Sequence, residues 1–314
     1  DIAVGRFGYD TSLDDPGLEL KQQSKSDTAD LAASIKLAVP ASLMAGGDPS
    51  MGQALTEGLS LAFSTKQGAT TGSVVQESPY FPMNVTIQAG GGEATAEFNK
   101  DVFAVDSTTS GMELGFTSAA IPAPITVTSG PVEVSLTAPV IANDAAAKFG
   151  FVMKLSQFSV NEEAWALFDP AGALSREAAD LAIDISGTTK IDLPALIDAE
   201  ETGAEPPIPA PETLDITELS LNVAGAALAG TGAFTFDNTA GTPMPLGEAN
   251  VVVTGANALI DGLIGTGLVT QEDAMGVRMM MGAFMSPGPN PDELTSKIEA
   301  KPGFEIYVNG QRIQ

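Results

Sequence analysis

Along most of this chain apolar and polar residues alternate with a period of two. Residues 59–65 (Leu-Ser-Leu-Ala-Phe-Ser-Thr) do so cleanly. Residues 85–88, 94–98, 102–105, 112–116, 125–128, 132–136 and 149–160 follow in the same style. Gly90 to Gly92, Ser110-Gly111, Ser129-Gly130 and Asn143-Asp144 separate these runs and read as turns. Short strands with turn residues between them predict an antiparallel meander with one buried and one wet face. Residues 5–11 and 33–39 extend the strand reading toward the start of the chain. Residues 181–186, 190–193, 214–223 and 232–236 extend it beyond the middle.

The period changes to a helical one in three places. Asp48-Pro49 reads as an N-cap followed by proline at the first helical position, opening a short helix that ends at Gly58. Asn161 caps residues 162–168, with Glu162 and Glu163 in the first turn and Asp169-Pro170 at the stop. Near Asn257, Leu259, Ile260, Leu263, Ile264 and Leu268 mark one apolar helical face. Thr270 with Asp273 opens a second helix carrying Met275, Met279, Met280, Phe284 and Met285, stopped by Pro287-Gly288-Pro289. Residues 294–299 and 304–308 close the chain as a strand pair, with Phe304, Ile306 and Val308 alternating against Glu305, Tyr307 and Asn309. The expected fold is mainly β (α+β), a curved antiparallel sheet or rolled meander with three or four short helices on one face or end. Residues 1–314 read as one unit, with a meander over 1–202, an exposed Pro-rich loop over 203–211, and strands plus the Met-rich helical segment over 212–314.

Composition narrows the function more than it defines it. Forty acidic against fourteen basic side chains give a formal charge of −26, a field that repels nucleic-acid phosphates and anionic headgroups. Cysteine and histidine are both absent, which removes thiol nucleophiles, Cys/His zinc sites and every Ser-His or Cys-His dyad. No apolar run reaches the length of a membrane span. The richness in Thr, Ser, Gly, Ala and Asp leads us to expect a periplasmic protein. The opening residues already alternate like a strand, so a processed or partial chain is expected.

No cofactor, metal or catalytic constellation stands out. Asp261 and Asp169 read either as cleft carboxylates with raised pKa or as a helix-surface acid and a turn residue. Asp14-Asp15 and Asn143-Asp144 read as Asx turns rather than calcium ligands, lacking EF-hand spacing. The methionines at 275, 279 and 280 with Phe284 form either a contact surface for a variable apolar partner or ordinary core packing. Trp165 reads as the anchor of its short helix or as a member of the same contact set.

Trp165 with residues 167–172 (Leu-Phe-Asp-Pro-Ala-Gly), Leu259-Ile260-Asp261, residues 274–280 (Ala-Met-Gly-Val-Arg-Met-Met), residues 294–299 and Asn309-Gly310-Gln311-Arg312 together resemble a family of alphaproteobacterial exported proteins, domain of unknown function 2125. That resemblance implies a cleaved signal peptide and a longer N-terminal portion, and assigns no catalytic residue. The strand-helix-strand ending is similar at fold level to envelope proteins of the AsmA type, whose curved sheets hold lipid. The expectation is a non-enzymatic periplasmic protein. It is either an accessory subunit docked on an inner-membrane complex or a carrier of a lipid-like ligand, with a carboxylate-dependent hydrolase as the alternative.

Overall fold

The computed structural model describes the backbone of residues 1–314 and every side chain but that of Glu201. Nineteen strands and six helices follow one another as β1 (Ile2–Asp15), β2 (Leu20–Ala38), α1 (Ala41–Met44), α2 (Met51–Thr56), β3 (Ser60–Gln67), β4 (Thr70–Glu77), β5 (Met83–Ala89), β6 (Gly92–Phe98), β7 (Val102–Thr109), β8 (Met112–Ser118), β9 (Ile125–Ser129), β10 (Val132–Pro139), β11 (Ile141–Val160), α3 (Glu162–Phe168), β12 (Ala179–Asp192), α4 (Leu193–Thr202), β13 (Ala210–Val223), β14 (Ala226–Asp237), β15 (Met244–Thr254), α5 (Ala256–Thr266), α6 (Gln271–Phe284), β16 (Ser286–Pro287), β17 (Glu293–Lys301), β18 (Glu305–Val308) and β19 (Gln311–Arg312). All strands belong to one sheet and every pairing is antiparallel. The mainly β architecture read from the alternation is therefore the architecture of the protein.

The meander is built differently from the one the glycines suggest. β3 and β4 both lie antiparallel to β2, β3 on Ala32 to Ala38 and β4 on Lys21 to Thr28, so they are two halves of one long strand. β5 with β6, β7 with β8, and β9 with β10 are joined end to end in the same way. Gly90-Gly91, Ser110-Gly111 and the residues around Gly130 are thus breaks inside straight strands, not turns. Asn143-Asp144 likewise lies within β11, at an irregularity opposite β12. The chain reverses elsewhere, at residues 78–82, 99–101 and 119–124. The reason is visible in the backbone. Gly90 N donates to Gly111 O at 2.8 Å and Ser110 N to Gly91 O at 2.9 Å, so the groups at the breaks keep bonding across the sheet instead of closing a hairpin.

Seven neighbouring strands break at one level, at Gly5, Asp30, Gly68-Ala69, Gly90-Gly91, Ser110-Gly111, Gly130-Pro131 and Ser156-Gln157. Asp30 (φ 47°), Gly111 (φ 132°) and Gln157 (φ 52°) adopt positive φ there. The breaks take matching residues from neighbouring strands, so the register is kept while the side-chain alternation shifts by one. The sequence obeys this shift. In β6 the apolar positions are even (Ala94, Ala96, Phe98), whereas in the collinear β5 they are odd (Met83, Val85, Ile87). β7 and β8 exchange phase in the same manner, from Phe103 and Val105 to Leu114 and Phe116.

The buried residues gather at the two ends of the sheet. At one end α2 meets α4, and Ala54, Leu55, Val140, Ala142 and Ala199 are buried. At the other, α5 packs on β14 and α6, burying Ala164, Leu174, Ala256, Ile260 and Ala274. Six helices at two ends thus replace the expected three or four on one face or end. Ser50, not Asp48, caps α2, in a capping box completed by Gln53. α4 begins where the strand read over 190–193 ends and occupies residues to which the sequence pattern assigns no element, although Asp192 accepts from Ala195 N and Pro194 sits in the first turn, an N-terminal signature. β1 and β2 outrun their predicted spans because polar residues 20–30 pair as readily as apolar ones. Val39 lies outside β2, and Phe304 sits in a turn at φ 60° rather than in β18. Leu55, at 1% exposure the pivot of the first cap, gives a direct test. Leu55→Ala is expected to cost about 2–5 kcal/mol, read as a lowered midpoint in urea unfolding.

Candidate apolar face

Cross-strand partners in an antiparallel sheet point to the same side, so the register assembles a face residue by residue. One row runs Ile35, Phe63, Ala96, Val105, Leu136, Phe151, Ile185, Ile216, Gly232, Ala249, Ile298 and Val308, each paired with the next. At about 4.8 Å per strand this row is roughly 50 Å long. About four residues along, Leu155, Leu181, Leu221, Leu228, Val253 and Leu294 form a parallel row. Beyond the breaks Val74, Val85, Phe116 and Ile125 continue the same face. None of these rows contains a charged side chain. The strand charges stand on the reverse face, where Glu97, Asp106, Glu133, Asp184, Glu218, Glu248 and Lys297 alternate with the apolar set.

No second layer covers the apolar face. Ile35 is 65% exposed and Leu37 62%, and Leu61, Phe63, Phe103 and Leu136 are also exposed. The whole molecule exposes 18182 Å², against roughly 12,000 Å² for a compact monomer of 32.0 kDa. The excess is that of an open single sheet. A cleft of about 720 Å³ lies off this face, between the β1–β2 turn and residues 77–82, and is lined by Asp14, Asp15, Glu19 and Glu77. Asp15 there accepts from Gly17 N and Leu18 N, as its reading as a turn residue requires.

The methionine helix is not core. Met275, Met279 and Met280 are 71%, 73% and 62% exposed, Phe284 also faces solvent, and only Ala274 of α6 is buried. α6 is held to α5 by Arg278, which donates to Asp261 Oδ1 at 2.7 Å and to Asn257, and at its end by Ser296 Oγ and Asn309 Nδ2 donating to Phe284 O. Asp261 is thus a helix-surface carboxylate in an exposed ion pair. Trp165 belongs to another cluster, half-buried, tilted against Phe168 at 4.8 Å and under the Arg176 guanidinium at 4.4 Å.

Asp169 is the surprise of this end. Its side chain is fully buried and accepts from Ala173 N and Leu174 N, both at 2.9 Å, and from Arg176 Nη1 at 2.5 Å. Arg176 Nη2 also donates to the Asp169 carbonyl at 2.9 Å. Burial pushes the carboxyl up, but the Leu174, Ala173 and Arg176 hydrogen bonds outweigh it and hold the group below the usual carboxylate range. The loop so stapled presents Leu174 to α5, where a Cβ on Gly262 would sit 2.7 Å from the Leu174 side chain. Lys297 lowers Glu248 and hydrogen bonds from Thr239 lower Asp237. The displaced carboxylates all move toward the charged form, the reverse of what a proton donor at neutral pH needs.

The family model described as uncharacterized protein conserved in bacteria (DUF2125) matches residues 69–303, three quarters of the chain. The protein therefore belongs to the DUF2125 family, as the motifs around Trp165, Met275 and Leu294 indicate. No curated protein and no solved structure matches the chain. Among the described residues no helix is long and apolar enough to cross a membrane.

Two outcomes follow from this geometry. Because Asp169 is lowered from an unfolded value of about 3.9, its stabilising effect is complete above about pH 4 and is lost as pH falls through the lower folded value. Asp169→Asn should therefore lower the thermal midpoint at pH 7, and the gap to wild type should close in acid. Met279→Asp with Met280→Asp should leave stability within about 0.5 kcal/mol per substitution, since both side chains are exposed; chemical denaturation measures it.

Proposed function

We propose that this is a non-enzymatic binding protein of the bacterial periplasm that carries a lipid-like ligand on the apolar face of its sheet. The observation behind this reading is the uncharged row from Ile35 to Val308, exposed at Ile35, Phe63 and Leu136, half-buried through most of its remaining positions and buried at Val308. A long apolar face left bare costs the free protein solubility, and contiguous patches of this kind mark ligand or partner sites. An acyl chain suits it because it needs no directional partner and gains about 0.8 kcal/mol for each buried methylene. With the charges on the reverse face, a headgroup would stay at the margin of the sheet.

A second reading has its own observation. The exposed Met275, Met279, Met280 and Phe284 fit an accessory subunit docked on an inner-membrane complex, since methionine packs against variable partners. Native mass spectrometry of protein isolated gently from its own membranes separates the two: a lipid-sized adduct favours the carrier, a stoichiometric complex favours docking. For the carrier, Phe63→Lys with Leu136→Lys should weaken binding of a fluorescent zwitterionic lysophospholipid at least about tenfold, through charge burial and lost apolar area. Ser64→Lys on the reverse face should leave it unchanged. Equal affinities in all three proteins would remove the apolar face from the argument.

A further inference from the structure

The line of breaks divides the sheet into two panels. The smaller contains β4, β5, β8 and β9 with the adjoining parts of β1 and β2 and the end of β11; the larger runs from β3, β6, β7 and β10 through to β19. We propose that this line is a hinge, and that the smaller panel swings about it as one body, changing the angle between the two parts of the apolar face.

Three features of the backbone carry this. First, the pairing register is the same on both sides of the line, so the panels are continuous through the seven strands that cross it. Second, the bonds at the line run across the strands, parallel to it: Gly68 N to Ala29 O at 2.8 Å, Gly90 N to Gly111 O at 2.8 Å and Gly130 N to Ser156 O at 2.8 Å. Rotation about an axis parallel to these bonds turns φ and ψ of the break residues without lengthening the bonds. Third, the break residues already leave the regular strand conformation, with positive φ at Asp30, Gly111 and Gln157. Hinges are few residues that absorb such dihedral change. Near β9 the swing is braced: Asn161 ties the start of α3 to Pro124 and Thr126, and the Asp169 loop ties α3 to α5 on the larger panel. Motion is therefore freest toward β1.

The absence of cysteine makes the test direct. Spin labels at Thr86→Cys and Thr231→Cys report across the line, and labels at Thr95→Cys and Thr231→Cys report within the larger panel; all three positions are exposed on the charged face. In the ligand-free protein the first pair should give a distance distribution broader than the second by several Å. Equal widths would overturn the hinge. Gly91→Ala with Gly130→Ala places a Cβ about 3.1 Å from the Gln67 and Ser156 carbonyls of neighbouring strands and should narrow the first distribution alone. No narrowing would assign the width to other motion and overturn the proposal. Neither measurement needs a ligand, so the outcome is separate from that of the carrier reading.

Discussion

The constraint on which this structure rests is that each strand must turn its uncharged residues to the same side as its neighbours over the full width of the sheet. A two-layer protein tolerates an error in one strand because a second layer still buries the rest. Here the described residues form no second layer over the face, and buried side chains are few and concentrated in the end caps. Stability must come from continuous backbone ladders, cross-strand side-chain pairs of modest individual strength, and the caps. Phase is therefore the specification, and the aligned breaks are where it is most at risk. A single residue of slip would carry Val74, Ile87 and Phe116 to the charged face. The breaks absorb that slip in step across seven strands, with positive φ at Asp30, Gly111 and Gln157.

The end caps solve a different problem. Sheets of many strands twist, curl and fray at their ends, and the long connections between strands have to be anchored somewhere. Leu55 and Val140 anchor one set. The other depends on a buried charge: Asp169 folds the 169–176 segment around itself so that Leu174 can meet α5 at Gly262. A buried carboxylate persists only when its lone pairs are filled, and this one has two backbone donors and a guanidinium. The Trp165 ring lies under that guanidinium, so the stretch from Trp165 to Gly172 helps to build this cap.

Strand type and face were legible because period-two alternation is a property of single strands. The direction of the chain at a glycine was not. Gly90-Gly91 and Ser110-Gly111 carry the composition of turns, and only the phase change on either side, Ile87 to Ala94 and Val105 to Leu114, distinguishes a bulge inside a strand from a hairpin between two. That signal lies in the sequence and asks for comparison of phases across a break rather than inspection of the break. The helix caps at Asn161 and Thr270 were local and so readable. The exposure of Met279 and the burial of Asp169 depend on what packs from distant segments, and neither is encoded nearby.

An open amphipathic sheet also explains the charge of the chain. A face as apolar as the row from Ile35 to Val308 invites stacking of one molecule on another. Forty acidic side chains against fourteen basic ones make such approach repulsive at the range of a Debye length, about 8–10 Å in physiological salt, while an uncharged acyl chain meets no such barrier. The acidic reverse face then acts as a filter on what reaches the apolar one, and salt should weaken that filter before it weakens the fold. Aggregation that rises with ionic strength while the thermal midpoint stays constant is the behaviour this arrangement requires, and light scattering across a salt series would expose its absence.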